Sequence, residues 1–157
     1  MALVHLDALY RVAVRLARNR AEAEDIVQDA VLRAFRSFHR FDPGTNCRAW
    51  LFTILRNVFL NRVRTQGREV PEAEVGDFDQ VEMAFDTDVD RALTTLPLAF
   101  REAFLLVDIE GLTYREVAEV LECPIGTVMS RLSRGRRLLR RALERYAREH
   151  GYVKEDG

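Results

Sequence analysis

The chain has 157 residues, with 24 Lys and Arg against 25 Asp and Glu and a net charge of −1. That length holds one domain or two small ones, and an apolar share of 48% builds cores without disulfides or metal. No stretch is apolar enough to span a bilayer and no signal peptide is visible, so the expectation is a cytoplasmic protein with no membrane insertion.

The pattern along the chain is helical throughout, and the expected fold class is all-α. Residues 3–18 place Leu6, Leu9, Ala13 and Leu16 at helical spacing. Residues 21–39 form a second helix with a broad apolar side of Ile26, Val27, Ala30, Val31, Ala34, Phe35 and Phe38. Its opposite side carries Asp25, Gln28, Asp29, Leu32 and Arg36. Leu32 lies about 150° from the centre of the apolar face at about 100° per residue. An apolar residue inside a polar patch signals a protein interface, although a stray surface leucine is equally ordinary.

A turn-rich loop follows at residues 41–46, FDPGTN, and a third helix at 48–65 turns Leu51, Ile54, Leu55 and Val58 inward. Phe38 and Phe41 flank this loop, which ends in Thr45, Asn46, Cys47 and Arg48. Aromatics beside arginines can stack on and hold unpaired bases, and core packing is the competing use of those rings. Arg56, Asn57, Asn61, Arg62 and Arg64 extend the polar surface along the third helix, with Asn57 and Asn61 one turn apart. Trp50 is expected to be a core anchor.

Residues 66–88 lack a sustained period, are rich in acid and contain Pro71 and Gly76, so they read as a linker. Fully extended, it reaches roughly 70 Å. Helices are expected again at 89–96 and at 97–110.

Residues 113–141, TYREVAEVLECPIGTVMSRLSRGRRLLRR, read as two helices with a tight turn between them. Thr113 is a good N-cap, and Glu116 three residues on completes a capping box, with Leu112 and Val117 placed as a hydrophobic staple. Glu122, Cys123 and Pro124 break the helix, and Pro124 suits the first turn of the next one. That last helix phases Ile125, Val128, Leu132, Leu139, Leu143 and Tyr146 to one side. Thr127, Ser130, Ser133, Arg134, Arg137 and Arg141 fall on the other. Eight arginines and one acid lie between Ile125 and Arg148. A short helix–turn–helix with one basic face is how a small domain enters the major groove of DNA. Arginines near the helix start can reach guanine edges, and later ones pair with phosphates.

The near-zero net charge hides a strong asymmetry. Residues 1–66 carry net +5, residues 67–95 net −7 and residues 96–157 net +1. The pattern is two basic modules separated by an acidic linker. Cys47 and Cys123 read as small, partly buried hydrophobes in a reducing compartment. Cys47 and His39 together are two ligands, which do not make a metal site. No nucleophile-and-base set, phosphate-cradling loop or metal cluster is present, so neither catalysis nor a cofactor is expected.

The segments EAEDIVQDAVLRAFRSFHRF, GTNCRAWLFTILRNVFLNRVR and LTYREVAEVLECPIGTVMSRLSRGRRLLRRAL, in this order around a short linker, resemble the extracytoplasmic-function class of bacterial sigma factors. The resemblance covers about residues 5–145. It implies sigma region two at 1–66, an acidic linker at 67–88 and sigma region four at 89–157. It further implies that Asp25, Gln28, Asp29 and Leu32 grip the β′ clamp helices of core RNA polymerase, with the β flap as the second core contact. Phe41, Asn46, Arg48, Arg56, Asn57 and Asn61 correspond to the surface that captures bases of the −10 element. Thr127, Ser130, Arg131, Ser133, Arg134 and Arg137 correspond to the −35 recognition helix. Arg136, on the core-facing half, could reach DNA only from its edge. An anti-sigma factor is the further partner implied. Asp29 and Met129 depart from the family, which commonly has Glu and a basic residue there. Glu122 stands at a turn position where Gly is frequent. A helix–turn–helix operator-binding regulator that works without polymerase is the competing reading.

Overall fold

The computed structural model describes residues 2–44, 46–66 and 88–149, and within them all regular structure is helical. Most of the expected acidic linker, together with Thr45 and the last eight residues, lies outside the described residues. After a 3-10 turn at Ala2–His5 come α1 (Leu6–Ala17), α2 (Arg20–Ser37) and α3 (Cys47–Thr65). The C-terminal half contains α4 (Asp88–Thr94), α5 (Leu98–Phe104), α6 (Tyr114–Leu121) and α7 (Ile125–Glu149).

Local chemistry explains most boundaries. Arg18 ends α1 in the left-handed region, with φ 58°. Asn19 then caps α2 by accepting a hydrogen bond from the Glu22 amide at 2.9 Å. Asn46 does the same for α3, accepting from the amides of Arg48 and Ala49. A further 3-10 turn at Phe38–Arg40 leads out of α2. The helix expected at 97–110 is not uniform. α5 passes at Leu105–Ile109 into a π-helical turn, in which Glu110 N donates to Leu105 O at 2.9 Å.

Leu9, Val12, Ile26, Leu51, Phe52, Leu55 and Val58 form the centre of the first three helices. Leu93, Leu105, Val117, Val128 and Leu132 form that of the last four. The two halves are in contact. Helices α1 and α3 pack on α4, α5 and α6, and one continuous apolar cluster runs through both. Val12, Leu16, Phe52 and Leu55 face Leu105, Leu106 and Val120 around a void of about 10 Å³, the space of one water.

Three side chains assigned to the apolar faces are exposed: Phe35 at 62%, Phe38 at 44% and Ile125 at 44%. Phe38 has left α2 for the 3-10 turn at Phe38–Arg40. The buried stripe of α2 is set by Ala23, Ile26, Val27, Ala30 and Ala34. Phe35 lies roughly 125° from the centre of that stripe at about 100° per residue, outside a face of this width. Ile125 opens α7 before the helix has turned onto the core, which begins at Val128.

Candidate nucleic-acid interface

The helix–turn–helix is built by short-range bonds. Thr113 and Glu116 form the capping box: the Thr113 amide donates to Glu116 Oε1 at 2.9 Å and the Glu116 amide to Thr113 Oγ1 at 3.1 Å. These bonds, first of all that from the Thr113 amide, hold the Glu116 carboxyl below its ordinary pKa. Leu112 and Val117 are both buried, as a staple requires. Glu122 ends α6 at φ 53° and ψ 49°, the left-handed conformation that the turn needs. The amides of Thr127 and Val128, in the first turn of α7, donate to Pro124 O. Pro124 therefore precedes the helix, at its cap, rather than lying in its first turn.

On α7, Ser130, Ser133, Arg134 and Arg137 are exposed, while Thr127 and Arg131 are half-buried. Met129 and Ile125 add exposed apolar surface at the same end, suited to contact with a thymine methyl. The inner face is fixed at two neighbouring points. Gly135 lets α7 approach α5 so closely that a Cβ there would sit 3.1 Å from Phe100 O. Arg136 donates two hydrogen bonds to Asp108, at 2.8 and 2.7 Å, which raises the guanidinium's pKa. Arg136 is thus an anchor of α7, a role that needs Asp108 on the preceding π turn and was not readable from the sequence.

On α2, Asp25, Gln28 and Leu32 are exposed and Asp29 is half-buried, paired with Arg33 at 3.4 Å. Leu32 is 54% exposed and is not alone, because Phe35 stands one turn along the same side. Sequence reasoning missed Phe35; phasing α2 on its small buried alanines would have found it.

Around α3, Phe41 lies against Trp50 with ring centroids 5.2 Å apart, and Phe38 completes the cluster at 6.0 Å from Phe41. Phe41 and Trp50 are half-buried, so Trp50 anchors an aromatic rim and not the centre of the core. Asn57 and Asn61 are exposed on one face. Asn46, Arg48 and Arg56 are turned toward the C-terminal half. The Asn46 amide donates to Glu116, Arg48 donates to the Glu110 carbonyl, and Arg56 donates to Glu102.

Other cations of the first half make the same choice. Arg11 donates twice to Glu110, at 2.7 and 2.8 Å, and Arg15 donates to Asp90 at 2.8 Å. In return the buried Arg101 donates to Leu16 O at 3.2 Å and to Thr94 O and Leu96 O, both at 3.1 Å. Burial pushes Arg101 down to about 9. Burial also raises the Glu102 carboxyl, against the opposing pull of Arg56. Among the described residues no cluster of His, Cys, Asp and Glu could hold a metal, and no helix is long and apolar enough to cross a membrane.

The fold thus presents a helix–turn–helix in its C-terminal half and a helix with an aromatic rim in its N-terminal half. Residues 1–69 match the family described as Sigma-70 region 2, and residues 86–139 match Sigma-70, region 4. The chain is 40% identical to the ECF RNA polymerase sigma factor SigE of Mycolicibacterium smegmatis, over 92% of this chain and 61% of that protein. It is 36% identical to the ECF sigma factor EcfG of Rhodopseudomonas palustris, over 85% of this chain and 78% of the relative. The solved structure of the sigma factor RpoE from Bartonella quintana, in complex with the anti-sigma factor NepR, is similar at a TM-score of 0.77 and 37% identity. That match covers 90% of this chain and 93% of the other. CnrH, solved with the cytosolic domain of CnrY, is similar at a TM-score of 0.69 and 29% identity, over 90% of this chain and 84% of the other. The chain belongs to the extracytoplasmic-function sigma factors of bacterial RNA polymerase.

Proposed function

We propose that this chain joins core RNA polymerase in the cytoplasm and directs it to a set of promoters as an alternative sigma factor. The observation that carries the reading is the pairing of a fully built helix–turn–helix with an exposed α2 face and an asparagine-lined α3 in one chain of this family. Residues 1–66 act as region two and residues 89–157 as region four, joined by the acidic segment between them. Asp25, Gln28, Asp29 and Leu32, with Phe35 beside them, take the β′ clamp helices, and region four takes the β flap. Thr127, Ser130, Arg131, Ser133, Arg134 and Arg137 read the −35 duplex. Phe41, Asn46, Arg48, Arg56, Asn57 and Asn61 hold the opened −10 strand.

Strand opening then needs no ATP. Unstacking a base costs a few kcal/mol, and each stacking contact returns ~1–3 kcal/mol. Arg136, held by Asp108, is left out of the DNA contacts. Catalysis stays with the polymerase. The relatives solved with anti-sigma factors support an anti-sigma partner for this chain as well.

The test is transcription in vitro with purified core enzyme on DNA selected by the reconstituted holoenzyme. Promoter-specific initiation is the expected result. Promoter-specific binding by the chain without any gain in initiation would favour the operator-regulator reading. Asp25→Arg with Asp29→Arg is expected to abolish core binding while circular dichroism stays unchanged.

A further inference from the structure

The first turns of α7 have two chemically different flanks. The buried line of this helix is set by Val128, Leu132, Gly135 and Leu139. At about 100° per residue, Met129 stands roughly 90° to one side of the centre of that line, with Ile125 one turn before it. Thr127, Arg131 and Arg134 stand roughly 70–130° to the other side. Met129 is 52% exposed and Ile125 44% exposed. A single exposed apolar side chain is ordinary, but these two are neighbours on one flank of a basic helix. Between the flanks runs an outward ridge of small residues, Gly126, Ser130 and Ser133, all exposed. A Cβ at Gly126 would meet nothing within 4 Å, so packing within the chain does not call for glycine there. A ridge this low lets the helix sit deep in a groove and brings both flanks within reach of base edges.

We infer that Met129 is a specificity-determining residue of the −35 contact and that it reads the C5-methyl of thymine, with Ile125 beside it. This rests on the assignment of α7 to the −35 duplex and adds a base to it. Methionine has no N–H or O–H to give to a phosphate or to a guanine edge. The C5-methyl of thymine is the apolar feature that the major groove offers. An arginine at this position would instead take guanine O6 and N7, or a phosphate. The unbranched thioether chain adapts its shape, so it can lie along a methyl without a fixed geometry. The two flanks then face opposite walls of the groove, Arg131 and Arg134 toward guanines and Met129 and Ile125 toward thymines. Side chains one turn apart stand ~5–6 Å apart at Cβ, and successive bases of a strand ~3.4 Å apart. The thymine under Ile125 therefore lies within two steps of the one under Met129.

The test uses holoenzyme reconstituted from the full chain and core polymerase, bound to a promoter it has selected. Each thymine of the −35 element is replaced singly by deoxyuridine, which removes the methyl and leaves the pairing edge unchanged. One position should lose about fourfold in affinity, the worth of one methyl-sized group kept from water, and a second should lose less. Met129→Ala should abolish the first loss, so that thymine and deoxyuridine bind alike, and Ile125→Ala the second. Met129→Arg should move the selected base at the first position from thymine to guanine. Circular dichroism should be unchanged in all three variants, since both side chains are exposed. Equal binding of thymine and deoxyuridine at every position overturns the inference, and so does a methyl effect that survives Met129→Ala. If Arg134→Ala still relaxes the selected element in those cases, the −35 assignment stands and the thymine reading alone falls. A holoenzyme that selects no −35 element overturns both.

Discussion

Glu122 offers a test of the strain in the turn between α6 and α7. It ends α6 at φ 53° and ψ 49°, and its side chain is exposed. A left-handed residue with a Cβ costs roughly 1–2 kcal/mol. Glycine removes that strain but adds freedom to the unfolded chain, which takes back about 0.4–1 kcal/mol. Glu122→Gly should therefore stabilise the protein by roughly 0.5–1 kcal/mol, a rise in melting temperature of roughly 1–4 °C for a chain of this size. Gly111 provides the opposite arm. It has φ 73°, and a Cβ there would meet nothing within 4 Å, so Gly111→Ala tests backbone conformation alone. It should lose roughly 1 kcal/mol, the left-handed strain less the same unfolded-state term. Thermal melts followed by circular dichroism, with urea midpoints as a check, measure both. A fall or no change for Glu122→Gly, or a gain for Gly111→Ala, would refute the strain argument.

Gly135→Val should cost about 1–3 kcal/mol by overpacking, because its Cβ would press on the Phe100 backbone at 3.1 Å; urea unfolding checks it. Burial raises the folded pKa of Glu102 above its ordinary 4.5, so the folded chain holds this proton more tightly than the unfolded chain. Stability should then fall as pH rises from about 4.5 toward the raised value, and Glu102→Gln should flatten that slope in urea titrations across the acid range. Arg134→Ala should relax base preference at one −35 position at a cost of about 1–3 kcal/mol. Arg141→Ala, two turns further along α7, should instead weaken all sequences alike and lower the salt slope by about one. Selection experiments and salt titrations of the holoenzyme separate the two.

The helix–turn–helix was legible because everything that makes it lies within a few residues. Thr113, Glu116, Leu112, Val117 and Glu122 act on neighbours, and their spacing alone specifies the bonds. Helix existence was legible for the same reason, and the resemblance to the family rested on these local strings. The π turn at Leu105–Ile109 was not, because nothing in LLVDI distinguishes it from the α-helix it continues. Asn19 was overlooked as a cap although its chemistry is local. Phe35 lies off the apolar face because small alanines make that face narrower than the run of apolar residues in α2 suggests. The contacts between the halves join residues 46 to 99 positions apart. Charge composition showed that region two is basic and that acids lie downstream, but which acid meets which arginine is decided only by the packing of α1 and α3 on α4, α5 and α6.

That packing also bears on how accurately α7 can be aimed. Its anchors and its candidate readers alternate along five residues. Ser133, Arg134 and Arg137 face outward, while Gly135 is pressed on α5 and Arg136 is bound to Asp108. A helix held at two adjacent points can neither roll nor slide without breaking one of them. Rolling would separate Arg136 from Asp108, and sliding would drive a larger residue into the space only Gly135 leaves. The side chains on either side are thus fixed by the same turn that carries them. A bidentate arginine–base contact needs this, because its hydrogen bonds weaken steeply once distance or angle departs from the ideal. The exposed Arg140 and Arg141 lie beyond both anchors, where phosphate contacts tolerate looser placement.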